Sequence, residues 1–138
     1  MLDLRDPTFD ATCFTSNGMV TGDGRLVMGA GIAKLFRDTF PGIDRIFGRL
    51  VKEHGNRCFM VTIEGVNIIN FPTKHDWRAD SDLALIEESS RQLMELVHAH
   101  GLKKVRLPRP GCSLGKLSWE IVGPTIARVL DDRVVVPA

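Results

Sequence analysis

The stretch KVRLPRPGCSLGKLSWE, residues 104–120, decides the fold class. Lys104 to Leu107 reads as a strand, and Pro108 to Gly115 is a loop broken by two prolines and two glycines. Ser118 then stands as the cap of a last helix, with Glu120 and Ile121 in its first turn and an end near Leu130. Pro124 falls inside that helix, where it introduces a kink or belongs to the first turn. A strand, a glycine-bearing loop and a capped helix in succession form one unit of an α/β chain.

The same alternation extends in both directions. Upstream, Ala11 to Thr15 is a β-prone run ending in Ser16-Asn17-Gly18, and Gly22-Asp23-Gly24 marks a turn. Met28-Gly29-Ala30-Gly31 leads into Ile32, Ala33, Leu35, Phe36 and Phe40, an apolar face at helical spacing that Pro41-Gly42 stops. A second helix is expected from Asp44 to His54, closed by Gly55. Cys58 to Ile63 and Val66 to Phe71 read as neighbouring strands joined at Glu64-Gly65, with Pro72 ending the second. Thr73 to Asp80 is a polar loop, and Ser81 caps a long helix to His100 closed by Gly101. Downstream, Val134 to Val136 makes a closing strand. The pattern predicts an α/β layer fold, a mixed sheet with helices on both faces, as a single domain over 1–138.

Composition narrows the classes of function. The 138 residues carry 18 Lys and Arg against 17 Asp and Glu, and the net charge of +1 excludes a binder that holds nucleic acid through bulk electrostatics. With 43% apolar residues the chain is long enough to bury a core without metal or disulfide. Cys13, Cys58 and Cys112 are far apart with no CxxC pair, so a reducing compartment is expected and a zinc site is not. The N-terminus MLDLRDPTFD is charged where a signal peptide needs an apolar core, and no apolar run approaches membrane-spanning length. The expectation is a soluble, cytoplasmic protein, monomeric, with no cofactor or metal and activity that survives chelation.

In α/β folds ligands gather beyond the carboxyl ends of strands. Three loops stand there in this reading: Ser16 to Gly31, Thr73 to Asp80, and Pro108 to Gly115. Gly29-Ala30-Gly31 opens a helix whose N–H groups suit a phosphate, or else serves close packing of helix on strand. It is neither a dinucleotide fingerprint, since Lys34 stands where the third glycine belongs, nor a P-loop. Gly111 and Gly115 allow a ligand close to the second loop, so the two loops together suit a diphosphate. Cys112 is better explained by small size than as a nucleophile. Asn17 presents an amide to a sugar hydroxyl or forms an Asx-turn before Gly18. Lys74, His75, Asp76 and Trp77 form a polar cluster that is a site or a solvated loop, whereas Trp119 is expected in the core.

Four segments in this order carry a resemblance: Thr15-Ser16-Asn17, Met28 to Ala33, Asn70-Phe71-Pro72-Thr73-Lys74, and Leu107 to Trp119. They resemble the macrodomain family, whose members bind ADP-ribose, over about residues 10–136. The resemblance implies a three-layer α/β/α sandwich with a mixed central sheet and a ligand cleft above it. The Phe-Pro-Thr-Lys and Pro-Gly-Cys segments look most like a branch containing two kinds of hydrolase. One kind removes ADP-ribose from acidic side chains, and the other comprises antitoxins that remove it from thymidine in DNA.

By that resemblance Asn17 contacts the distal ribose, and Met28, Gly29, Ala30, Gly31 and Ile32 hold the diphosphate with Pro110, Gly111, Cys112, Ser113, Leu114 and Gly115. Lys74 matches the lysine near the anomeric carbon, and Asp3 stands for the acidic residue that meets adenine. Two departures are visible. Gly115 replaces the Asp of members acting on acidic side chains, as in the antitoxin-like members, and Gly18 to Val27 is longer than usual, with Asp23 and Arg25 available for a lid.

The expected reaction is hydrolysis at the anomeric carbon of ADP-ribose attached to protein or nucleic acid. Lys74 and Asn17 are the catalytic candidates, and Asp76 or Asp23 a base. A reader without catalysis and an ADP-ribose 1''-phosphate phosphatase are the alternatives. A nucleic-acid-directed enzyme needs a basic patch from Arg78, Lys103, Lys104, Arg106 and Arg109, which otherwise form a solvated face.

Overall fold

A computed structural model describes residues 2–112 and 115–137. Five strands, β1 (Ala11–Ser16), β2 (Met60–Ile63), β3 (Val66–Pro72), β4 (Val105–Arg106) and β5 (Val134–Val135), form one sheet in the order β2-β3-β1-β4-β5. Only the β2–β3 hairpin is antiparallel; the other pairings are parallel. Helices α1 (Gly31–Thr39), α2 (Ile43–His54), α3 (Leu83–His100) and α4 (Trp119–Ala127) cover it.

Side-chain alternation along the strands divides the core in two. Phe14 and Ile68 face α1 and α2, where they meet Phe36, Phe40, Ile43, Phe47 and Val51. Cys13, Ile69 and Phe71 face the other way, toward Ile86, Leu93, Val97, Val122 and Ile126 of α3 and α4. The expected α/β/α layering with a mixed sheet is what forms. Phe14 anchors the first layer, with ring centroids 5.2 Å from both Phe36 and Phe47, contacts that each add about 0.5–1.5 kcal/mol beyond area burial.

The element boundaries differ from sequence expectation where side chains replace backbone pairing. Cys58 and Phe59 precede the ladder: Gln92 Oε1 accepts from the Cys58 N–H at 2.9 Å, and Asn70 Oδ1 accepts from that of Phe59 at 2.6 Å. The long helix is capped by Asp82, whose Oδ1 accepts from the Ala84 N–H, and not by Ser81. Ser118 does cap α4, but the helix ends at Ala127, and Val129 and Leu130 both return their N–H groups to the Ile126 carbonyl. Pro124 lies within α4. No described helix is long and apolar enough to cross a membrane.

Gly18 to Val27 is not a lid. Its turn is closed by Thr21 N–H to Arg25 O, and Leu26 donates to Asp44 O on α2 at 2.8 Å while its side chain enters the core. Gly48 in the middle of α2 makes room for this. A Cβ there would run into the Gly24 carbonyl oxygen and lie 2.7 Å from Leu26 N. Asp23 pairs with Arg25 and Arg45 on the surface, away from the cleft described next.

Candidate functional site

Strand β1 pairs with β3 from Thr12 to Ser16, but with β4 only at Ala11 and Thr12. Past Leu107 the chain cannot extend the ladder, because Pro108 and Pro110 have no N–H to donate. It turns away, and the free edge of β1 opens into a cleft of about 1460 Å³. β3 and β4 lie on opposite sides of β1, so this is the point where strand order reverses and where α/β sheets bind ligands.

One wall is Met28, Gly29, Ala30, Gly31 and Ile32 at the start of α1. Ala30 is the N-cap and offers no side-chain acceptor, and the first turn holds no acidic residue. The opening N–H groups of α1 therefore keep their capacity to bond an anion in the cleft. Gly29 is exposed, and a Cβ built on it meets nothing within 4 Å.

The facing wall contains Gly111, Cys112 and Gly115. Gly111 has φ +73°, and a Cβ on it would lie 2.9 Å from Ile86 Cδ1 and 3.0 Å from Ser81 Cβ. At Gly115 a Cβ would run into Ser81 Oγ and lie 2.7 Å from the Gly111 carbonyl oxygen. Any side chain at position 115, an Asp included, displaces this loop. Pro110 is buried behind the wall and does not line the cleft; its carbonyl accepts from the Cys112 thiol. Desolvation raises the Cys112 thiol above its ordinary range, the opposite of what a nucleophile needs. Ser113 and Leu114, also expected at the ligand, lie outside the described residues.

The floor carries Thr12, Cys13 and Arg106. Arg106 is only 7% exposed. It donates to Thr12 Oγ1 at 3.2 Å and to the Asp3 carbonyl at 2.6 Å, and lies over the Phe9 ring. It thus drops out of the expected basic patch. Lys103 and Lys104 are bound through their N–H groups to Asp10, which precedes β1, while Arg78 and Arg109 line the cleft. Asp3 stands outside the cleft lining, its carboxylate accepting from the Arg5 N–H at 2.9 Å; its neighbour Leu2 lines the cleft instead.

Asn17 has the Asx geometry and a place in the cleft at once. Oδ1 accepts from the Met19 N–H at 2.9 Å, and Nδ2 donates to the Val27 carbonyl at 3.0 Å, so the side chain is the clasp of the 18–27 turn. Lys74 follows β3 across from it. The Thr73 and Lys74 N–H groups both point to the Ser16 carbonyl, and Asn56 Nδ2 donates to the Lys74 carbonyl at 3.0 Å. The loop behind Lys74 is held by His75 Nε2 with Asp82 Oδ2 at 2.8 Å.

Neither expected base reaches the cleft. Asp76 is locked to Arg78 at 2.7 Å, and the Arg78 side chain, helped by its N–H, lowers the Asp76 carboxyl to about 2. Asp23 is held down likewise by Thr21 and Arg25. The cleft's own carboxylate is Asp80, which pairs with Lys116 at 3.8 Å. Sequence reading missed it, because an Asp in a polar loop carries no periodic signal. Trp119 is half-buried and lines the cleft under Arg109, with the guanidinium 4.6 Å from the ring centroid. The hydroxyls of Ser16 and Ser81 also line the cleft, buried and without a hydrogen-bond partner among the described residues.

The Macro domain family model matches residues 21–126. The chain belongs to the Macro domain family. It is 34% identical over 103 residues to the DNA ADP-ribosyl glycohydrolase of Mycobacterium tuberculosis, covering 70% of this chain and 29% of that protein. The solved macrodomain of that relative, named DarG, superimposes with a TM-score of 0.81 at 28% identity, over 100% of this chain and 95% of that one. The structure titled Thermosipho africanus DarTG in complex with ADP-ribose gives a TM-score of 0.82 at 26% identity, over 97% of this chain and 39% of that one. ADP-ribose glycohydrolase OARD1 of Bos taurus is 32% identical over 108 residues, 75% of this macrodomain and 67% of that protein. The macrodomain therefore spans under a third of the DNA-directed relative's length. Among the described residues no three His, Cys, Asp or Glu side chains cluster to hold a metal.

Proposed function

We propose that this macrodomain binds ADP-ribose in the cleft and hydrolyses the bond between its distal ribose and a macromolecule, with ADP-ribosylated DNA as the favoured substrate. The carrying observation is that the uncapped start of α1, Gly111 and Gly115, and Lys74 with Asn17 all line one cleft. The name of the M. tuberculosis relative and the ADP-ribose in the T. africanus structure support both halves of the reading.

The diphosphate sits between the walls, where backbone N–H groups and the helix end hold its charge. In hydrolysis the bond from the anomeric carbon to the leaving atom breaks, the water oxygen bonds that carbon, and the leaving atom takes a proton. The transition state is oxocarbenium-like, so holding the ribose in place is a large share of the work. Lys74 attacks the carbon as the leaving group departs, and water then displaces the lysine nitrogen with cleavage of the new C–N bond, or Lys74 orients the substrate and hands a proton to the leaving group. Asn17 fixes the ribose while clasping the 18–27 turn. Asp80, paired with Lys116, is the carboxylate among the described lining residues. DNA is favoured over carboxylate-linked substrates because Gly115 admits no Asp without moving the Gly111 backbone. The reading includes a cytoplasmic setting, in keeping with three free cysteines, and turnover without an added divalent cation.

Titration calorimetry with ADP-ribose, with AMP and ADP as controls, tests binding; Lys74→Ala tests chemistry. The expected result is a clear preference for ADP-ribose, and a Lys74→Ala protein that keeps most of that affinity while losing turnover. Absence of binding at millimolar ligand refutes the reading, and full turnover by Lys74→Ala refutes the role of Lys74.

A further inference from the structure

The β3–α3 loop leaves a large aromatic ring in water at the edge of the cleft. Trp77 is 52% exposed, lines the cleft and stands three residues after Lys74. The ring is not on a loose loop. Asp76 accepts from the Arg78 N–H, Nε and NH2, and the Ala79 N–H returns to the Asp76 carbonyl. Gly18 donates to the His75 carbonyl, and Asp82 donates to that of Thr73. The loop that presents Trp77 is thus tied on both sides, and Arg78 is fixed 5.7 Å from the indole centroid. The adjoining β4–α4 loop repeats the arrangement, with Arg109 over Trp119. Asp80 and Lys116 join the two loops.

We propose that this rim is a track for single-stranded nucleic acid, with Trp77 the platform on which a base stacks next to the ADP-ribosylated nucleotide. The proposal rests on the reading of the cleft as an ADP-ribosyl hydrolase and names how the macromolecule is held. A half-exposed indole on a tied loop, with the Arg78 guanidinium beside it, suits a base and its phosphate, because every base has a π-face and stacking needs no sequence. A carboxylate leaving group has no use for a flat apolar ring. Lys74, Arg78, Arg109 and Lys116 line the cleft with Asp80, and Arg78 is paired with Asp76 outside that lining, so cations exceed carboxylates there and give a neutral protein a local attraction for phosphate. Bases in a duplex hide their faces, so the track selects single strands.

Fluorescence anisotropy of an end-labelled oligomer reads the affinity in every variant, and quenching of tryptophan adds a second signal in the wild type, where Trp77 and Trp119 are the two indoles. A ten-nucleotide thymidine oligomer without ADP-ribose is titrated with the full chain and with Trp77→Ala and Trp77→Phe, with ADP-ribose calorimetry on each. The wild type is expected to quench saturably. Trp77→Ala should weaken the oligomer by about 5- to 150-fold, the range of one base stack, and by at least five times more than it weakens ADP-ribose. Trp77→Phe should keep most of the affinity, and the same sequence in a duplex should bind more weakly. Binding should fall with salt at a log–log slope near −0.7 per phosphate held, and Arg109→Ala should remove about one such unit. An oligomer affinity unchanged in Trp77→Ala overturns the proposal. So does an equal loss for oligomer and ADP-ribose, which would put Trp77 on the adenine or ribose. If ADP-ribose does not bind the wild type but the oligomer quenches Trp77, the hydrolase reading fails and the track stands. If ADP-ribose binds and the oligomer does not, the track alone fails.

Discussion

Gly29→Ala separates what the ligand needs from what the fold needs. Nothing lies within 4 Å of a Cβ built at Gly29, and its φ is outside the left-handed region. Alanine there brings no clash and no strain, and by restricting the unfolded chain it stabilises by about 0.4–1 kcal/mol. With an unfolding entropy near 0.3 kcal/mol/K for a chain of this size, that is a rise in Tm of about 1–3 °C. The ligand sees the opposite. A phosphate bonded to the N–H groups at the start of α1 must approach the backbone closely, and a methyl on the cleft side of residue 29 displaces it. Loss of one charge-assisted hydrogen bond is worth about 1.5–3 kcal/mol, so ADP-ribose affinity should drop about tenfold or more. Differential scanning calorimetry and ADP-ribose titration on the same preparation check both signs. Unchanged affinity would mean that the diphosphate does not cross Gly29. A fall in Tm of several degrees would mean that the glycine serves the fold and that the cleft wall has been misread.

Gly48→Ala should behave in reverse: helix propensity alone favours alanine by about 1 kcal/mol, but the Cβ collides with the Gly24–Leu26 backbone. A net loss of about 1–3 kcal/mol is expected, read as a Tm lowered by about 3–10 °C, and an unchanged or higher Tm would refute the packing argument. Asp76 governs an acid limit. Its folded pKa of about 2 is below the unfolded value near 3.9, so its contribution is complete above pH 4 and is lost as pH falls toward 2. Thermal scans should show no contribution from this pair to any pH dependence between 5 and 8, and Asp76→Asn should flatten part of the fall between pH 4 and 2. An identical acid slope in Asp76→Asn would remove the Arg78 pair from the account.

The glycines of this cleft show why position in the fold matters more than the residue type. Gly29 is open space, Gly111 is needed for its positive φ and its contact with Ile86, and Gly115 is needed because Ser81 and the Gly111 backbone occupy the volume a side chain would fill. The glycine at position 115 is therefore tied to a packing choice. Ser81, displaced from the capping role by Asp82, sits against Gly115 instead, and its N–H donates to the Gly115 carbonyl at 3.1 Å.

Periodicity and punctuation along the chain determined the elements, their order and the layering. Apolar spacing of 3.6 in α1 to α3, short β-prone runs at β1 and β3, and stops at Gly55, Gly101 and Pro72 are local properties that need no partner to be read. The order of strands and loops also placed Gly29 to Ile32, Asn17 and Lys74 beside one cleft, because ligand loops follow from where strands end. What remained was decided by contacts between residues far apart in sequence. Asp23 and Arg25 were turned away from the cleft by Gly48, Arg106 was buried by Thr12 and Asp3, and Asp76 was spent on Arg78 while Asp80 entered the site. A charged side chain in a loop has the same local sequence signature whether it faces water, a partner or a ligand. Only the tertiary structure, by setting which neighbours desolvate and pair it, chooses among them.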